Sequence, residues 1–167
     1  KTVPLNNQTL PASNPKEMIA FQREVAELQS KVQASQRELS NALKNIKLMR
    51  QALVQSTLPQ KETSEKLNKI EKDLRNLSLK LSGNGTASKL DKGMPPSVSS
   101  RVGSIVFEQW SSNSSITQTQ KMSYEIAKEE FAPILSALKK IINMDMKGIE
   151  RDLDKVNAPY TPGRLED

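Results

Sequence analysis

Carboxylates are the residues of this sequence whose type and spacing come nearest to doing chemistry. They gather at Glu129–Glu130 and in the run that holds Asp145, Glu150, Asp152 and Asp154. Two carboxyl groups about 5–10 Å apart across a cleft could serve as the acid and base of glycoside cleavage. Asp145, Glu150 and Asp154 could offer oxygen ligands to Ca²⁺. The pattern argues against both. The acidic run lacks the spacing of an EF-hand loop, and its carboxylates interleave with Arg151 and Lys155 as surface ion pairs do.

Other routes to catalysis are narrower still. The chain contains no His, which removes the commonest general base and the commonest transition-metal ligand together. It contains no Cys, so thiol chemistry and disulfides are excluded. Gly83-Asn84-Gly85 lacks the Walker pattern and reads as a turn. The sequence therefore predicts no catalytic, cofactor-binding or metal-binding residue and no cofactor, and this segment is expected not to be an enzyme.

The elements that carry these residues are dominated by one apolar heptad. Its first position recurs at Met18, Val25, Val32, Leu39, Ile46 and Leu53, and its second at Phe21, Leu28, Ser35, Ala42 and Met49. A stripe with alternating 3-4 spacing lies along one side of a helix. At 1.5 Å per residue that helix is roughly 60 Å long, and it cannot bury its own stripe. Something must lie along it. Small Ser35 and Ala42 would let a partner helix come close.

Asn14, Pro15 and Glu17 make a good helix start, and Pro59 disfavours helical geometry at Leu58, so helix one is expected over about 15–57. A second helix over about 61–81 carries Leu67, Ile70, Leu74, Leu77 and Leu81, and the short Leu58-Pro59-Gln60 link favours an antiparallel hairpin. Residues 82–97 read as a loop. Helix three, about 98–110, has the stripe Val98, Val102, Ile105, Val106 and Gln109 or Trp110, with Trp110 expected as a plug at the core edge. Thr117 and Gln120 have capping-box spacing for helix four, about 118–142, in which Pro133 should introduce a kink. Asp145 is placed to cap a separate short helix, about 146–156. Residues 1–14 form an extended lead-in and 158–167 an extended tail. The expected fold class is all-α: an antiparallel helical bundle of four main helices, one very long, plus a short C-terminal helix, spanning 15–157.

Composition agrees, since 35% apolar and 26% charged residues suit long helices that bury one stripe and solvate the rest. Charge is uneven: residues 1–93 carry 16 Lys/Arg against 9 Asp/Glu, a balance of +7, and residues 94–167 carry 9 against 10, a balance of −1. The cations are spread along helices without interleaved aromatics, so no nucleic-acid partner is expected. No apolar run approaches the ~18 residues of a membrane span. Sequons fall at Asn7, Asn76, Asn84 and Asn113, in a chain rich in Asn and Ser. The abrupt beginning and end fit a segment of something longer.

The last forty residues carry a resemblance. EIAKEEFAPILSALKKI, followed by MDMKGIERDLDKVNAPYTPGRLED, resembles the C-terminal helical region of bacterial sortilin-like, Asp-box (BNR) repeat β-propeller proteins, a group associated with exo-sialidase and glycosyl hydrolase activity. The tail Ala158-Pro159-Tyr160-Thr161-Pro162-Gly163-Arg164-Leu165 departs from that group's closing motif at Tyr160, where Trp is usual, and at Glu166, where Pro is usual. The resemblance implies a non-catalytic structural or interaction module of a secreted, periplasmic or cell-surface parent, partnered by the parent's propeller or by another protein. No Asp-box motif occurs here, so no active-site residue carries over. Tyr160, Pro162 and Arg164 are the candidate docking residues of the tail, packing it onto the bundle or onto the propeller. Two alternatives stand beside this reading. One is a free-standing coiled-coil adaptor or chaperone-like module; the other is a glycosidase accessory domain. The seam from Met18 to Leu53 could be filled within a monomer or shared by a homodimer through helix one. An exposed strip along the hairpin would favour the adaptor, and a fully covered stripe the brace.

Overall fold

The computed structural model describes residues 13–56, 61–84, 95–112 and 114–162. The lead-in up to residue 12, the Leu58–Gln60 link, most of the 82–97 loop, Asn113 and Arg164 lie outside the described residues. Among the described residues every regular element is a helix: α1 (Pro15–Val54), α2 (Lys61–Ser82), α3 (Val98–Ser111), α4 (Gln118–Lys140), a π turn (Ile141–Asp145) and α5 (Met146–Lys155).

Local chemistry explains the helix starts. The Asn14 side chain accepts a hydrogen bond from the Glu17 backbone N–H, with Pro15 at the first helical position. Ser97 caps α3 through the Ser100 N–H. The capping box at α4 is complete: Gln120 N–H donates to Thr117 Oγ1, and Thr117 N–H donates to Gln120 Oε1. At the other end of α2, Gly83 adopts φ +80° and its N–H bonds to the Leu79 carbonyl, a conformation that a side chain would strain.

Side-chain pairs fix the directions. Arg50 of α1 hydrogen-bonds Asn68 and Glu71 of α2, while Gln36 donates to Ser82 at 2.9 Å, so α2 returns antiparallel along α1. Glu17 meets Lys121 at 2.8 Å, and the Phe21 and Tyr124 rings pack edge to face with centroids 5.5 Å apart. Farther along, Ser35 and Leu138 line one groove, so α4 runs parallel to α1. Arg101 pairs with Glu130, and Gln120 donates to Glu108, which sets α3 antiparallel to α4. In cross-section the bundle has three helices: α2 packs along the later part of α1 and α3 along its beginning, so the two share one track.

The seam of α1 is filled within this chain. Phe21, Val25, Leu28, Val32, Leu39, Ile46 and Met49 are buried, as are Ser35 and Ala42. Met18 and Leu53, at the two ends, are only half-buried, and Ala52 rather than Leu53 takes the last inward position.

Two expectations at the C-terminal end change. Helix four does not stop near Ile142, and Asp145 caps nothing: it has helical φ −70°, ψ −45° and makes no side-chain capping bond. Instead the π turn joins α4 to α5, closed by the Met146 N–H bonding to the Ile141 carbonyl. α4 also continues through Pro133, which sits on its exposed side.

Candidate interaction surfaces

The tail is set by the way α5 ends. Asn157 takes φ 50°, its N–H bonds to the Asp154 carbonyl, and the Ala158 N–H reaches back to the Leu153 carbonyl. These are the two bonds of a Schellman motif, with Asn as one of the few non-glycine residues tolerated there. Pro159 and Pro162 then hold φ in the extended range, where side chains three residues apart share a face. Ala158 and Thr161 are accordingly buried, while Tyr160 remains 60% exposed and Pro162 is exposed. Ala158 and Thr161 thus turn inward, while Tyr160 and Pro162 face outward. Spacing of three between the prolines is the signal in the sequence for that buried pair. Thr161 Oγ1 is buried without a hydrogen-bond partner.

The acidic run of α5 faces α2 across a mixed-charge groove of about 570 Å³. Lys66 sits between Glu62 at 2.9 Å and Asp152 at 3.0 Å, and Lys155 binds Asp152 at 3.0 Å. The hydrogen bonds from Lys155 and then Lys66 hold the Asp152 carboxyl below its ordinary range. Glu62 and then Asp152 raise the Lys66 ammonium above its own. Glu71, bound by Arg75 and Arg50, is likewise lowered. Such carboxylates are committed to cations, which suits bracing and not proton transfer. Among the described residues no three carboxylates converge as metal ligands, and Asp145, Glu150 and Asp154 do not form such a group. Of the Glu129–Glu130 pair, Glu130 pairs with Arg101 at 3.6 Å.

α3 provides the surface that sequence reasoning missed. Trp110, expected at the core edge, is 89% exposed, and Phe107 is 73% exposed. Phase explains it. Val98, Val102 and Ile105 point inward, and Trp110 lies five residues beyond Ile105, which at 100° per residue is about 140° round the helix. Gln109 takes the inward position instead, and its Nε2 is buried without a partner beside a small cavity of about 300 Å³ under the α3–α4 corner. Another groove, about 710 Å³ and mostly apolar, lies between Leu77 and Leu79 of α2, Val98 of α3, and Pro133 and Ile134 of α4. Of the sequons, Asn76 and Asn84 are exposed. Among the described residues no helix is long and apolar enough to cross a membrane.

Compared with models of protein families, with curated proteins and with solved structures, the chain matches none.

Proposed function

We propose that this chain is a non-catalytic brace: a C-terminal helical module of a larger protein of the sortilin-like propeller type, secreted or held at the cell surface with its parent. The closed seam is the observation that carries this reading. A clamp or chaperone-like hairpin needs an apolar strip to offer its partner, but Phe21 to Met49 are covered by the chain's own helices. For a dimer through that seam, the bundle would have to open. Support for the propeller context comes from the tail. Its Ala158 and Thr161 pin it down while Tyr160 faces outward, where a neighbouring domain could receive it.

Association with a separately produced propeller domain of such a parent tests the reading. The wild-type chain should bind it. Tyr160→Ala should weaken binding by at least about tenfold while leaving the melting temperature unchanged, since a 1.4 kcal/mol contact is a factor of ten. Failure of the wild-type chain to bind would sink the brace, and hydrolysis of aryl glycosides by the chain alone would sink its non-catalytic character. A free-standing partner-binding module is the second reading, and the exposed Phe107 and Trp110 on α3 favour it.

A further inference from the structure

We infer that the outward face of α3 joins two copies of this chain through an antiparallel α3–α3 pair. The face consists of Ser100, Gly103, Ser104, Phe107, Trp110 and Ser111, all exposed and none charged. α3 has just two charged residues, and both turn to α4: Arg101 pairs with Glu130, and Glu108 accepts from Gln120. In a chain of net charge +6, two copies approaching through their charged faces repel, whereas this face brings no charge to the contact. Depletion of charge together with enrichment in aromatics is also what marks the centre of protein interfaces.

The pattern is self-complementary. A two-fold axis through the level of Ile105 would place Phe107 opposite Gly103 of the second copy and Trp110 opposite Ser100 of the second copy. Each large side chain thus meets a small one, and every knob has its hole on the same helix, as an isologous contact requires. Gly103 is open: a Cβ built there meets nothing within 4 Å among the described residues, which leave the hole unfilled. Four aromatic side chains exposed to this extent bring about 500–800 Å² of surface to the contact. That is below the roughly 1,200 Å² of the smallest stable specific interfaces. The dimer is therefore a weak one that dissociates on dilution.

Trp110 is the only tryptophan, so its emission reports on this contact alone. Light scattering and fluorescence along one dilution series should show the mass falling from dimer to monomer as the emission shifts to the red. Gly103→Leu fills the hole, and Phe107→Ser removes a knob. Each should give a monomer at every concentration with helicity retained, since neither residue belongs to the core. A monomer mass for the wild-type chain up to its solubility limit overturns the inference. So does a dimer that survives either substitution, or a change of mass that leaves Trp110 emission fixed. These results are independent of propeller binding, on which the brace reading stands.

Discussion

Deletion of Asn143 separates two explanations of the π turn: a helix break, or one surplus residue in a continuous seam. The inward residues run Phe131, Ile134, Leu138, Ile141 and then Met146, Ile149, Leu153 and Val156. From Ile141 to Met146 is a step of five. In an α-helix that step turns about 500°, leaving Met146 roughly 140° off the seam. The i→i+5 bond from Met146 N–H to Ile141 O lengthens the turn by one residue and returns Met146 to the core, where it is 5% exposed. With Asn143 removed, the step becomes four residues, about 400°, and a regular α-helix keeps all four later residues inward. Asn143 is exposed, so its side chain costs little to lose. The expected change in unfolding free energy is within about 1 kcal/mol, a shift of at most ~4 °C in melting temperature for a chain of this size.

Insertion of one alanine after Asn143 is the matched opposite. It turns everything after the π turn by about a further 100°. Met146, Ile149, Leu153 and Val156 would leave the core, at about 1.5–3 kcal/mol each, or roughly 6–12 kcal/mol in sum. That is comparable with the entire stability of a typical domain, about 5–15 kcal/mol. Urea and thermal unfolding followed by far-UV circular dichroism would compare the two variants. If the deletion is as damaging as the insertion, the surplus-residue reasoning is refuted.

Three further outcomes follow from the packing. Ile46→Ala, at a fully buried position, should cost about 2–5 kcal/mol in urea unfolding, from lost transfer energy and the cavity left behind. Thr161→Val removes an unpaired buried hydroxyl at nearly constant volume and should raise the unfolding free energy by up to about 1 kcal/mol, or leave it level; a loss of stability would mean the hydroxyl is partnered. Glu71 and Asp152 have folded pKa values below their ordinary 4.5 and 3.8, so their stabilisation is complete above those values and is lost as pH falls through the lower folded ones. Acid titration of the unfolding midpoint should therefore be flat above about pH 5 and decline below about pH 4, and salt should flatten the decline.

Much of the bundle was legible because heptads are redundant. Seven seam residues between Phe21 and Met49 agree on one face, so a misplaced residue at either end, such as Leu53, does not change the element. Caps were legible for the opposite reason: Asn14 and Thr117 act through bonds to neighbours three residues on, with no help from tertiary structure. The three-track arrangement was not legible. Nothing local says that α3 continues the course of α2 instead of forming a fourth track, since that depends on residues far apart in sequence meeting side by side. The π turn lay between these cases. Ile141 and Ile149 are eight residues apart, one more than a heptad, and this surplus was visible. Asp145 offers a cheaper local account as a helix cap, and a cap there implies a break.

On α3, residue type and helical phase give opposite answers, and phase decides. Trp110 is large and apolar, yet Gln109, a polar residue, occupies the inward position that Val98, Val102 and Ile105 define. In the tail the prolines set a spacing of three that sends Ala158 and Thr161 inward and leaves Tyr160 and Pro162 exposed. In both places a buried polar atom lacks a partner, Gln109 Nε2 and Thr161 Oγ1, while the aromatic ring next in sequence, Trp110 or Tyr160, is mostly exposed. That inversion works against stability on both sides, because burial of an unpaired polar atom costs free energy and aromatic area is left unburied. Folding alone would favour the reverse arrangement. The α3 face and the tail are the two sites where the chain departs from it.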